Sequence, residues 1–369
     1  MSENAPFPVH AGRSAGEAAA RPDDVRVMVV DDSLTARTVL GKIVTRADGM
    51  TLVGSASSAE QALSSMGALA PDVILLDLEM PGMGGLAALP AILRRPAAPR
   101  VLVVSSLTAR GGKVTVEALA MGAADAIQKP ESGQFTAAYR ADIAERIRTI
   151  AAGGKPSPDL PDRSAGSAYV LRDAPPVVPR CIAIGGSTGG IHSLTQFLAV
   201  LPPSYRVPIL VTQHLPASFT AIFATQIAQA ARRPAHVAAR GMAMEPGAIL
   251  IAPGDAHMRI VRQGPRMVVE LSDEPTASGC RPSVDPMFSS LAASCNGAAI
   301  GVVLSGMGRD GSQGAADLAA AGGILLAECA ETSAVWGMPR GIAEAGLASA
   351  IDAPAALAEF VLARQVVQA

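Results

Sequence analysis

From residue 25 the chain repeats one pattern: a short run of Val, Ile and Leu, a turn, then apolar residues at helical spacing. The apolar runs fall at 25–30, 50–54, 73–76, 101–104 and 125–127, and the helix-period stretches at 35–45, 58–68, 85–93, 112–121 and 136–151. The runs do not alternate with polar residues, so each strand is expected to be buried on both faces, as in a parallel sheet covered by helices. Five such units predict a flavodoxin-like, doubly wound α/β domain.

The pattern stops at 152–178, a stretch dense in Pro, Gly, Ser and charged residues with no sustained period, which reads as an inter-domain linker. A second α/β alternation starts at Arg180. Its expected strands lie at 181–184, 207–213, 248–251, 259–261, 267–271, 299–304 and 323–327. The pair between 255 and 273 reads as an antiparallel excursion on a mostly parallel sheet. The predicted organisation is a disordered tail at 1–24, a first domain at 25–151, the linker, and a second, mostly parallel α/β domain at 179–369.

Composition fits this picture. At 369 residues the chain is long for one core, and 49% apolar residues with 17% charged supply two buried sheets. A net charge of −2 gives no whole-protein field for attracting nucleic acid, which argues against a polyanion-binding role. The four cysteines, Cys181, Cys280, Cys295 and Cys329, form no C-x-x-C pair and read as reduced thiols. No apolar run has signal-peptide character or bilayer-spanning length, so no membrane insertion and a cytoplasmic location are expected.

In the first domain Asp31 and Asp32 follow the first strand, Asp77 ends the third, Ser105 the fourth and Lys129 the fifth. Strand C-termini of an open parallel sheet converge on one crevice. Three carboxylates there repel one another unless a cation joins them, and oxygen-only ligands suit Mg²⁺. With a lysine and a small hydroxyl, the site can hold a phosphoryl group on Asp77. Taken singly, the Asp31–Ser33 segment reads equally well as a helix cap.

In the second domain Gly185 to Gly190 (GGSTGG) joins a strand to a helix and satisfies G-x-S-x-G, which exposes the hydroxyl of Ser187 on a sharp turn. A phosphate-cradling loop is the rival reading, although the segment lacks G-x-G-x-x-G and a Walker lysine. Of the five histidines, His214 directly follows the strand at 207–213 and can share a crevice with Ser187. The loop after 299–304, Ser305 to Gly311, supplies Asp310, which as an orienter would fix the His214 tautomer. Backbone amides near Thr188 and Met307 are the candidate oxyanion donors. The chain order Ser, His, Asp differs from those of α/β-hydrolases, chymotrypsin-like and subtilisin-like enzymes.

Residues 25–130 resemble a response-regulator receiver domain. Asp77 falls on the phosphoacceptor, Asp31 and Asp32 on the Mg²⁺ pair, Ser105 on the switch hydroxyl and Lys129 on the lysine of the Lys-Pro motif. Residues 180–360 resemble the catalytic domain of the chemotaxis protein-glutamate methylesterases, the CheB family. The resemblance rests on GGSTGG, the stretch Thr212 to Pro216, and the stretches Ile251 to Met258, Arg281 to Asp285, Gly306 to Gly311 and Val335 to Pro339, in that order. Ser187, His214 and Asp310 fall on the family's catalytic triad.

The resemblance implies a phosphorylation-regulated esterase that hydrolyses glutamate methyl esters, and deamidates certain glutamines, on chemoreceptor signalling helices. A chemotaxis histidine kinase would be its phosphodonor, Mg²⁺ would serve the receiver, and the esterase chemistry would need no cofactor. It also implies a cis peptide at Lys129–Pro130. Two departures stand out: Gly84 where the family usually has aspartate, and Gly186 where it usually has alanine. A different class of function, a receiver-controlled module whose glycine loops hold an anion without catalysis, is separated from esterase by labelling of Ser187.

Overall fold

The computed structural model describes residues 24–105, 109–130, 135–153, 169–176 and 178–364. The tail expected at 1–24, apart from Asp24, and most of the expected linker lie outside the described residues.

The first sheet contains β1 (Val25–Val30), β2 (Met50–Ala56), β3 (Val73–Leu76), β4 (Arg100–Ser105) and β5 (Asp125–Gln128). Its order is β2-β1-β3-β4-β5, and every pairing is parallel. The flanking helices are α1 (Leu34–Arg46), α2 (Ala59–Leu69), α3 (Gly84–Leu93), α4 (Ala109–Met121) and α5 (Ala137–Ala152). Side-chain hydroxyls start three of them: Ser33 accepts from Ala36 N–H, Ser58 from Gln61 N–H and Thr136 from Tyr139 N–H. Val73 to Leu76 are all buried, as an unalternated apolar run requires.

The second sheet contains β6 (Cys181–Gly186), β7 (Ile209–Gln213), β8 (Ala235–Val237), β9 (Ile249–Ile251), β12 (Ala299–Val303), β13 (Ile324–Glu328) and β14 (Ala350–Asp352). The order is β14-β13-β12-β6-β7-β9-β8, again parallel throughout. Its helices are α6 (Gly190–Val200), α7 (Ala217–Ala231), α8 (Val284–Cys295), α9 (Ser312–Ala320), α10 (Met338–Glu344) and α11 (Pro354–Ala363). The antiparallel excursion exists as β10 (His257–Gln263) and β11 (Arg266–Ser272), but it forms a two-stranded sheet of its own.

In each sheet the chain reverses its direction of growth at one place, between β1 and β3 in the first and between β6 and β12 in the second. Crevices open at such switch points, beyond the strand C-termini. No helix among the described residues is long and apolar enough to cross a membrane.

The two domains are packed together. Helix α4 lies against α6 and α7 in one continuous apolar cluster. The fit is close enough that a Cβ on Gly112 would sit 3.0 Å from Ile222 Cδ1. His192 Nδ1–H donates to Ala120 O at the end of α4 (2.7 Å), and Gln196 donates to its other ring nitrogen (2.8 Å). Residues 169–176 run along the second domain: Tyr169 meets Trp336 edge-on at 5.7 Å, and Arg172 N–H donates to Ala348 O (2.8 Å).

One expectation is corrected. Among the described residues the cis peptide bond is Arg281–Pro282, and Lys129–Pro130 is trans. The trans form is favoured by about 0.5–1 kcal/mol for any X–Pro bond, and from it Lys129 already reaches both of its acidic partners.

Candidate active site

Three strand ends of the second sheet build one site. Ser187 stands on the turn between β6 and α6, a turn that depends on Gly189 at φ +78°. Its backbone is clamped: Ser187 N–H donates to Ser305 O (2.9 Å), and Gln213 Nε2 donates to Ser187 O (2.7 Å). Gly186 belongs to the same clamp, because a Cβ there would sit 3.0 Å from Gln213 Oε1 and 3.3 Å from Gly190 Cα.

His214 follows β7, and its Nε2–H donates to Asp310 Oδ2 at 2.7 Å. Asp310, 2% exposed, accepts three further hydrogen bonds: from Ser283 Oγ (2.5 Å), Val284 N–H (2.7 Å) and Ser278 Oγ (3.0 Å). Burial opposes charge on both partners, lowering His214 and raising Asp310. Their contact, with the Ser283 and Val284 donors on the carboxylate and the Cys280 thiol against the imidazole, outweighs it. His214 ends at about 9 and Asp310 at about 2. Ser187 and His214 line one cavity of about 230 Å³, yet no hydrogen bond joins them among the described residues.

The cavity lies between the domains. Ala124, Asp125, Arg146 and Thr149 of the first domain face Ser187, Thr188, His214 and Met307 of the second. The contacts are specific. Thr188 Oγ1 donates to Asp125 Oδ2 (3.3 Å), Gly189 N–H to Ala124 O (2.8 Å) and Thr149 Oγ1 to Met307 Sδ (3.1 Å). Arg146 completes the patch, 2.7 Å from Asp125 Oδ2. The N–H groups of Thr188 and Met307 are engaged by no other group among the described residues.

The first sheet carries a second site. Lys129 Nζ lies 2.8 Å from Asp31 Oδ2 and 2.6 Å from Asp77 Oδ2, while Glu79 N–H donates to Asp77 Oδ1 (3.1 Å). Burial pushes the Asp77 carboxyl up, Lys129 pulls it down, and Asp31 adds to the rise. Carboxylate oxygens of Asp31, Asp32 and Asp77 lie within 4.8 Å of one another. Asp31 Oδ2 is buried, with the Lys129 ammonium beside it. These oxygens fit a hard divalent cation such as Mg²⁺. Ser105 stands at the end of β4, where Thr115 Oγ1 reaches its hydroxyl (2.5 Å). Gly84 adopts φ +70°, a conformation that disfavours an ordinary side chain.

The family model described as CheB methylesterase matches residues 182–361, and that of the response regulator receiver domain matches 27–140. A protein-glutamate methylesterase/protein-glutamine glutaminase of Maricaulis maris is 38% identical, over 88% of this chain and 92% of the relative. The chain belongs to the CheB methylesterase family. A Caulobacter vibrioides protein named protein-glutamate methylesterase/protein-glutamine glutaminase 2 is 40% identical over 89% of this CheB-family chain and 95% of its own length. The solved CheB methylesterase catalytic domain of Thermotoga maritima is 33% identical, covering 51% of this chain and 99% of that domain, with a TM-score of 0.49.

Sequence reasoning singled out Ser187, His214 and Asp310 but missed the groups that hold Asp310. Ser283 lies inside the stretch Arg281 to Asp285, whose role was not read. His257 Nδ1 accepts from Ser283 N–H (3.0 Å), and its Nε2–H donates to Glu274 O (3.0 Å). His257 therefore supports the loop that presents Ser283 to Asp310. Cys280, read as one of four reduced thiols, lines the cavity beside His214.

Proposed function

We propose that this chain is a serine esterase that hydrolyses glutamate methyl esters, and deamidates specific glutamines, on chemoreceptor signalling helices under the control of receiver phosphorylation. The observation that carries the reading is the His214–Asp310 contact at 2.7 Å on the wall of the cavity that also exposes Ser187.

Asp310 holds His214 through Nε2–H, which leaves Nδ1 as the nitrogen that serves Ser187. Ser187 Oγ attacks the ester carbonyl carbon while Nδ1 accepts its proton. The oxyanion is received by the N–H groups of Thr188 and Met307. As the tetrahedral centre collapses, His214 returns the proton to the departing methoxide, and methanol leaves an acyl-Ser187. Water, deprotonated by His214, then releases the glutamate carboxylate. With a glutamine substrate the same steps expel ammonia.

In the docked arrangement the receiver covers the cleft, and the residues proposed to hold the oxyanion, Thr188 and Met307, are among those it touches. Phosphorylation of Asp77 by a histidine kinase shifts the docking equilibrium toward an open cleft, with Ser105 and Lys129 reporting the phosphoryl group. Asp31, Asp32 and Asp77 would hold Mg²⁺, which when bound neutralises phosphoryl charge. Lys129, already paired with Asp31 and Asp77, places a positive charge at the acceptor carboxylate.

A serine-reactive phosphonate tests the nucleophile. An adduct mapped to Ser187 by mass spectrometry is expected; an unmodified Ser187 under phosphodonor and Mg²⁺ would overturn the esterase reading and favour an anion-holding module.

A further inference from the structure

We propose that Glu328, at the C-terminal end of β13, is a positioning residue that assembles the two oxyanion-binding amides from separate loops. The inference rests on the reading of Ser187 as nucleophile.

Glu328 is 0% exposed, and no lysine or arginine pairs with it among the described residues. A buried carboxylate is costly unless donors surround it. Here Oε2 accepts from Ser305 N–H (2.8 Å), and Oε1 accepts from Ser193 Oγ and Thr332 Oγ1 (3.0 Å each). Burial pushes its carboxyl up, and those three donors pull it back. A leucine would fill such a space without this penalty, so the carboxylate is there for what it holds.

Its donors sit on three separate segments. Ser193 is on α6, the helix launched by the Ser187 turn. Ser305 begins the loop to Met307, and Thr332 lies on the segment between β13 and α10. Ser305 passes the restraint on: its carbonyl accepts from Ser187 N–H (2.9 Å), its hydroxyl donates to Thr188 O (2.7 Å), and its Oγ accepts from Val335 N–H (3.0 Å).

The peptide planes show what this achieves. In a trans peptide the N–H points opposite to the C=O, so fixing the carbonyl aims the amide. Met307 N–H shares a peptide with Gly306 O, which is held by Gly337 N–H (3.1 Å) and Met338 N–H (2.8 Å). The segment bearing those amides is tied to Glu328 twice, through Thr332 and through Trp336 Nε1–H donating to the Glu328 carbonyl (2.9 Å). Thr188 N–H shares a peptide with Ser187 O, which Gln213 holds, while Ser305 fixes the next carbonyl along. The loops also press together, since a Cβ on Gly306 would lie 2.9 Å from Ser187 Cβ.

The test measures methanol release from methylated receptor by the full chain with phosphodonor and Mg²⁺, comparing wild type, Glu328→Ala, Glu328→Gln, Ser305→Ala and Ser187→Ala. Misplaced oxyanion donors lower kcat by about 10²–10³-fold, and Glu328→Ala is expected to show this with KM within about threefold of wild type. The apparent pKa of the rate profile should not move, because His214 and Asp310 are untouched. Glu328→Gln can still accept from Ser305 N–H and donate to a hydroxyl, so its kcat should recover to within about tenfold of wild type.

A folded Glu328→Ala with wild-type kcat, a loss confined to KM, or a shifted pH profile overturns the proposal. If Glu328→Ala does not fold, Ser305→Ala decides: kcat reduced about tenfold at unchanged KM supports the positioning chain, and unchanged kcat overturns it. Wild-type activity that survives Ser187→Ala would instead refute the nucleophile on which the inference rests.

Discussion

Thr188 Oγ1 donates to Asp125 Oδ2 at 3.3 Å across the domain boundary, so the turn that carries Ser187 is bonded directly to the first strand-end residue of β5. Gly189 N–H on Ala124 O reinforces the link, and Arg146 holds Asp125 from the other side. Occupation of the cleft and docking of the receiver therefore draw on the same residues. A conformational equilibrium built this way responds to any change that weakens one contact.

His192→Ala removes the donor to Ala120 O without touching the cleft. One such bond is worth about 1 kcal/mol net, so the basal rate without phosphodonor should rise about fivefold. The fully stimulated rate should stay within about twofold of wild type. Methanol release measured with and without phosphodonor checks both; an unchanged basal rate would remove His192 from the docking contact.

The His214–Asp310 pair sets the pH dependence. His214 rests at about 9, so in the docked chain the imidazole is protonated at neutral pH and the basal rate should rise with pH through about 9. Asp310→Asn removes the anion, bringing the apparent pKa down toward the ordinary 6.5 and cutting the maximal rate about 10⁴-fold, as loss of the orienter does in serine proteases. A pH–rate profile of both proteins tests the two shifts together.

The same pair makes stability depend on pH. A raised histidine pKa stabilises the fold fully below about 6.5, and that contribution is lost as pH rises through about 9. Asp310, lowered from 3.8 to about 2, contributes above 3.8 and loses its contribution as pH falls through about 2. The Tm of wild type should therefore fall between pH 6.5 and 9, and the fall should be smaller in Asp310→Asn.

Asp77→Asn should leave the basal rate unchanged and abolish stimulation by phosphodonor and Mg²⁺. Retained stimulation would place the phosphoacceptor elsewhere.

Phe288 is fully buried on α8, and Cβ atoms on Gly301, Gly311 and Gly314 would all lie against it. Phe288→Ala should cost about 3–5 kcal/mol of stability, read as a lower denaturant midpoint at unchanged slope.

Much of this arrangement was legible in the sequence because strand ends of parallel sheets carry chemistry to one edge. Asp31, Asp77 and Lys129 meet, as do His214 and Asp310, since each sits just past the C-terminal end of a strand or, for Asp310, on the loop that leaves one. The short edge strands β8 and β14 escaped notice because each is three residues with a polar member, His236 or Asp352, unlike the equally short but all-apolar β9. The donors to Asp310 were illegible for another reason: Ser278 and Ser283 lie in an irregular segment before α8, and nothing in their spacing points to a partner 27 or 32 residues on. Glu328 falls one residue past the strand expected at 323–327, where nothing in the sequence marks it out. Its role emerges only when β13 is placed beside β12.

The central claim is that one chain couples receiver phosphorylation to ester hydrolysis at Ser187. Methanol release from a methylated chemoreceptor, followed with and without a small-molecule phosphodonor and Mg²⁺, tests it most directly. Release that rises with phosphodonor and vanishes in Ser187→Ala is the expected result. Release that ignores phosphodonor, or that persists in Ser187→Ala, would contradict it.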